Sequence, residues 1–108
     1  MTRGADFQAL FSKGQRIDRP SLIVLWRGSE SERRVGFAVS RQLRNAVKRN
    51  RARRRLREAW RRARSAAPER VALVIIGRPA ALTKEFNDLV AELHGALGGI
   101  PRAVERTA

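Results

Sequence analysis

Residues 41–64, RQLRNAVKRNRARRRLREAWRRAR, constrain the fold more than any other stretch of the chain. They contain no Pro or Gly, and Leu, Ala and Arg are good helix formers, so one long helix is predicted. On a wheel of about 100° per residue, Ala52, Leu56, Ala59, Trp60, Ala63 and Ala67 fall on one stripe. Asn50, Arg54, Arg57, Arg61 and Arg64 fall on the opposite stripe, flanked by Lys48, Arg51, Arg55 and Arg62. The apolar stripe is narrow and rich in alanine, which suits close packing on a sheet. The window also holds half of the chain's 24 Lys and Arg and one acid, Glu58. Like charges at four-residue spacing repel by a few tenths of a kcal/mol per pair. Cations near the helix start also oppose the macrodipole. Asn45 is the expected N-cap, while Lys48 stands where a capping box would place Glu. A helix built this way is relieved by a polyanion.

Composition narrows the partner. The 108 residues carry a net charge of +14. They fit one domain, expected over residues 1–97, with 98–108 a disordered tail. A chain this basic binds nucleic acid, an anionic membrane or an acidic protein. No apolar run reaches membrane-spanning length, and an interfacial helix would want bulkier groups opposite its charges. The absence of cysteine excludes disulfides and thiolate zinc sites and fits a reducing compartment. Catalytic sets are also missing. The ten acids are scattered, the lone His94 has no evident partner, and there is no phosphate-cradling glycine loop or nucleophile elbow. Any reaction involving this chain therefore needs an active site supplied by something else. Reading DNA bases calls for Asn and Gln, and only Gln42 and Asn50 lie near the basic stripe. Dense arginine is better suited to phosphates and folded RNA.

The flanking segments suggest the architecture. Residues 6–13, DFQALFSK, read as a short helix capped by Asp6 and stopped by Gly14. Residues 22–26 and 34–40 read as strands, close enough in sequence for an antiparallel hairpin. Pro20 belongs at an edge or a strand start. Residues 71–76, VALVII, are apolar without alternation, as in a strand covered on both faces. Strand, long helix and strand then make a βαβ unit with at least one parallel pair. Thr83 is the expected cap of a last helix, ended by Gly98, Gly99 and Pro101. The fold class is α/β (α+β), a two-layer sandwich of order αββ(β)αβα on a mixed sheet.

From Asn45 to Trp60 the sequence NAVKRNRARRRLREAW resembles the signature of the bacterial ribonuclease P protein family. DFQALFSKG is similar to that family's first helix, RVGFAVSR to the strand before the basic helix, and VIIGRPAA to the strand and turn before the last helix. The resemblance implies a cytoplasmic bacterial protein that binds a catalytic RNA and precursor tRNA. That RNA hydrolyses the tRNA 5′ leader using Mg²⁺, so the chain is an enzyme subunit without catalytic residues of its own. It binds no cofactor, membrane or small-molecule substrate. The crossover around the long helix is implied to be left-handed, against the usual right-handed rule. Arg49, Asn50, Arg51, Arg53, Arg54 and Arg57 match the signature helix. With Arg41, Lys48 and Arg61 they form the expected RNA-binding set. Phe7, Phe11, Lys13 and Leu25 are the expected leader-binding cleft. Leu25 stands where the family often has an aromatic residue, and Arg41, Gln42 and Arg44 stand where it often has Lys and Gly. Without the resemblance, a ribosomal-type RNA-binding protein or a DNA-binding module would fit the same charges.

Overall fold

The structure, a computed structural model, describes residues 14–101. The helix expected over 6–13 lies outside them. Four strands form one sheet: β1 (Gln15–Asp18), β2 (Leu22–Gly28), β3 (Arg34–Val39) and β4 (Val71–Gly77). The helices are α1 (Ala46–Ala63), the short α2 (Ala80–Thr83) and α3 (Phe86–Gly98), and a 3-10 turn spans Arg64–Ala66.

The sheet order is β1-β2-β4-β3. β1–β2 and β2–β4 are antiparallel, and β3–β4 is parallel. The β3-α1-β4 unit is thus the expected βαβ. The expected hairpin between β2 and β3 does not form, because β4 lies between them. Every residue of β4 but Ile76 is buried, and a strand this apolar needs neighbours on both sides as well as cover on both faces. The hairpin forms one step earlier, where β1 pairs with β2 from Gln15↔Trp26 to Asp18↔Ile23. Its turn is closed by Arg19 N–H donating to Leu22 O at 2.8 Å, and it leaves Pro20 outside both strands.

One sheet face carries the helices. Leu22, Val24, Leu73 and Ile75 pack there against Leu56, Ala59, Trp60 and Ala63 of α1 and Leu89, Leu93 and Leu97 of α3. The buried α1 residues are Ala52, Leu56, Ala59, Trp60 and Ala63, the stripe read from the 3.6-residue period. Small side chains bring the helix close to the sheet. A Cβ added at Gly77 would lie 3.0 Å from Leu56 Cδ1, so β4 ends on glycine where α1 crosses it. The opposite face is a smaller apolar floor of Leu25 and Val74 with Ile23, Ala38 and Ile76.

Two element ends differ from expectation. Thr83 closes α2 rather than capping α3; the cap of α3 is Glu85, which accepts from Asp88 N–H at 3.1 Å. Lys84 is extended and separates the two helices. The chain also stays in the fold past Leu97. Gly98 is the last residue of α3, and Ile100 is 2% exposed in the main core.

Candidate nucleic-acid interface

The start of α1 is built by its sequence. Asn45 Oδ1 accepts from Val47 N–H at 2.8 Å and Lys48 N–H at 3.1 Å, as expected of an N-cap. The first turn has no acid to balance its free N–H groups. Lys48, Arg51, Arg54 and Arg57 follow at three-residue spacing, all exposed. Their side chains make no hydrogen bond or ion pair among the described residues. At about 1.5 Å per residue, they extend over about 13.5 Å of helix. Val47, beside them, is the large apolar residue left most open among the described residues, at 66% exposed.

The other cations of α1 are not equivalent. Arg49 Nη1 donates to Ser40 O at 3.2 Å and Leu43 O at 2.7 Å. Arg53 Nη1 donates to Asn50 Oδ1 at 2.9 Å on the exposed side of the helix. Arg55 reaches Ala81 O at 2.6 Å and Lys84 O, and so ties α1 to α2. Arg61 lies 3.5 Å from Glu58, an exposed pair that holds it weakly. Arg62 sits over the Phe86 ring at 5.5 Å. From the β2–β3 loop, Arg33 covers the Trp60 ring at 5.4 Å and donates to Arg64 O and Ala67 O, closing the C-terminal end of the helix.

A second group of cations lies at the end of the sheet from which α1 departs. Ser40 N–H donates to Gly77 O at 2.8 Å and Arg78 N–H to Ser21 O at 2.9 Å. The ends of β3 and β4 and the start of β2 therefore meet near the start of α1. Arg41 and Arg44 project there from the β3–α1 loop, both exposed. Beside β2, Arg16 and Arg78 hold Asp18 between them at 2.9 and 2.8 Å. The Arg16 guanidinium, helped by Arg78, keeps the Asp18 carboxyl below the usual carboxylate range. The expected RNA-binding set did not include Arg16, Arg44 or Arg78. Arg78 directly follows the buried strand, which places it at the sheet end beside Asp18.

Leu25 lies on the expected face, opposite to Trp26, but it is packed on Val74 and only 5% exposed. Its half-buried neighbours Ile23, Ala38 and Ile76 offer the open surface of that floor. Phe7, Phe11 and Lys13 lie outside the described residues. Among the described residues no three His, Cys, Asp or Glu side chains gather as a metal site, and no helix is long and apolar enough to cross a membrane.

The protein-family model described as Ribonuclease P matches residues 1–100. A ribonuclease P protein component from Gluconacetobacter diazotrophicus is 38% identical over 100 residues, covering 90% of this chain and 86% of the relative. One from Acidothermus cellulolyticus is 35% identical over 101 residues, covering 91% and 84%. Among solved structures, the RNase P protein from Thermotoga maritima superposes with a TM-score of 0.82 at 25% identity, covering 94% of this chain and 96% of that one. The Staphylococcus aureus RNase P protein gives 0.75 at 27% identity, covering 90% of each.

Proposed function

The chain belongs to the ribonuclease P protein family, and from that premise we propose how it serves the holoenzyme. It is a ribonuclease P protein component, a subunit of the enzyme that matures the 5′ end of tRNA. The observation that carries the proposal is the run of exposed cations Lys48, Arg51, Arg54 and Arg57 along α1, unpaired among the described residues. Together with Arg41, Asn50 and Arg61, this run contacts phosphates of a catalytic RNA and of precursor tRNA. Arginine forks suit phosphate, and their mutual repulsion is relieved when it arrives. The catalytic RNA supplies the hydrolysis with its own Mg²⁺. This chain lowers the repulsion between RNA segments and holds the substrate in place.

The 5′ leader runs over the second face of the sheet. It passes across the aliphatic surface of Ile23, Ala38 and Ile76 with Leu25 beneath; Phe7, Phe11 and Lys13, outside the described residues, are its further expected contacts. An aliphatic floor favours contact without base-specific hydrogen bonds, which suits leaders of many sequences. The work is done in the cytoplasm, where tRNA precursors are made. Reconstitution tests the reading. Added to a catalytic RNA of this family at low Mg²⁺, the protein increases cleavage of precursor tRNA at the leader junction. Unimproved cleavage refutes it.

A further inference from the structure

Arg49 belongs to the signature helix, yet its guanidinium faces inward. It is the fourth residue of α1, and its own N–H donates to Asn45 O at 2.9 Å in the helix ladder. Helical side chains lean toward the N-terminus, so Arg49 reaches back over the first turn. There its Nη1 meets Ser40 O and Leu43 O at 3.2 and 2.7 Å.

Those carbonyls belong to the loop of residues 40–45 that joins β3 to α1. The loop is pinned at its ends by Ser40 N–H on Gly77 O and by the Asn45 cap, and its middle is otherwise held by few contacts. Leu43 N–H donates to Ser40 O at 3.1 Å, Gln42 N–H donates to Ser40 Oγ at 3.1 Å, and Leu43 packs on Val39 and Ala52. The loop turns without any residue at positive φ, so this chain starts its helix without a left-handed glycine. Turning Arg49 Nη1 onto a phosphate would break both carbonyl bonds and leave a part-buried acceptor unsatisfied. Lys48, Arg51 and Arg54 face no such penalty, since their side chains have no partner among the described residues to give up.

We propose that Arg49 is a positioning residue: it braces the 40–45 loop so that Arg41 and Arg44 stand beside the α1 cations and engage RNA phosphates. This rests on the ribonuclease P reading for the identity of the RNA, while the brace itself is a property of the free protein.

A double-mutant cycle with the full-length chain tests it. Arg49→Ala weakens binding to a catalytic RNA of this family by about tenfold, the scale of two lost phosphate contacts. In the Arg41→Ala/Arg44→Ala background the same change weakens it by less than about twofold, because the residues it positions are gone. Equal losses in both backgrounds make Arg49 a direct ligand and overturn the proposal. So does unchanged affinity of the Arg41→Ala/Arg44→Ala protein. Amide hydrogen exchange on the free protein supplies the second readout. Arg49→Ala speeds exchange at Leu43 and Val47 and leaves the β4 amides protected; unchanged loop protection overturns the brace. Arg49→Lys keeps the charge, but its amine is one bond shorter than Nη1 and falls short of the two carbonyls, so it behaves like Arg49→Ala in both measurements. Full recovery of affinity with Lys overturns the proposal. Failure of the unmodified protein to bind the RNA refutes the ribonuclease P reading instead, and the exchange result still decides the brace.

Discussion

The salt dependence of RNA binding separates the outward cations from the inward ones. Arg54 and Arg57 are exposed and unpaired, whereas Arg55 spends its guanidinium on Ala81 O and Lys84 O. Each phosphate contact contributes about 0.9 to the slope of log affinity against log salt on duplex, or about 0.7 on single strands. Raising salt from about 50 to about 200 mM therefore weakens binding by about 3.5-fold per duplex contact. The Arg54→Ala/Arg57→Ala protein loses two such contacts. Its slope falls by about 1.8, so it is about twelvefold less sensitive than the parent over that range. Thermal stability stays level or rises slightly, because the change removes like-charge repulsion worth a few tenths of a kcal/mol per pair. Arg55→Ala does the reverse: the slope holds, and stability drops by about 1–3 kcal/mol as the two carbonyls lose their donor. The assay is filter binding or fluorescence titration with the catalytic RNA at four or more salt concentrations, alongside thermal melts. An unchanged slope for Arg54→Ala/Arg57→Ala, or a fall of about 0.9 for Arg55→Ala, refutes this division of the helix.

Other predictions concern the scaffold. Asn45→Ala removes the acceptor of two N–H groups at the start of α1 and lowers stability by about 1 kcal/mol, a melting shift of about 4–8 °C. Gly77→Ala places a methyl 3.0 Å from Leu56 Cδ1 and destabilises by about 1–3 kcal/mol. Leu56→Ala alone costs about 2–5 kcal/mol, and the two changes together cost less than their sum in denaturant unfolding, because the smaller side chain admits the methyl. Glu92 joins α3 to the β1–β2 turn by accepting from Ser21 N–H at 2.7 Å and pairing with Lys84 at 2.8 Å. Burial disfavours its charge, but Lys84 and the Ser21 N–H outweigh that and hold its pKa below the ordinary value. Its stabilisation is complete above the unfolded carboxylate pKa of about 4.3 and is lost as pH falls through the lower folded value. The stability gap between the parent and Glu92→Gln therefore shrinks on acidification below about pH 4; a gap that stays constant excludes the ion pair.

The buried face of α1 was legible because helical period alone selects it. Ala52, Leu56, Ala59, Trp60 and Ala63 recur at three- and four-residue steps, and all are buried. Asn45 was legible for the same local reason, since a cap acts within three residues. Strand pairing was not. Nearness in sequence favoured β2 beside β3, whereas the actual order follows from β4, which must be flanked on both edges. That demand was present in VALVII, but it is a property of the whole sheet and competes with the local hairpin signal.

The cations show the same limit in sharper form. Periodicity places Lys48 and Arg51 on one side of the helix and Arg49 nearer the apolar seam, but it fixes only the direction of each Cβ. An arginine reaches far beyond that, and its end point depends on which carbonyls lie within range. Arg49 finds the β3–α1 loop, Arg55 finds the turn after α2, and Arg33 finds the end of α1. In each case the target is a main-chain oxygen at or beside a helix or strand end, where the regular ladders leave acceptors open. Such acceptors exist only after the elements are placed, so the local pattern cannot name them. Net charge therefore shows that the chain meets a polyanion, while the fold decides which arginines remain free to do so. On that logic an arginine-to-lysine exchange is tolerated at an outward position such as Arg54, where a point charge on phosphate suffices, and fails at Arg55, where one fork must serve two carbonyls.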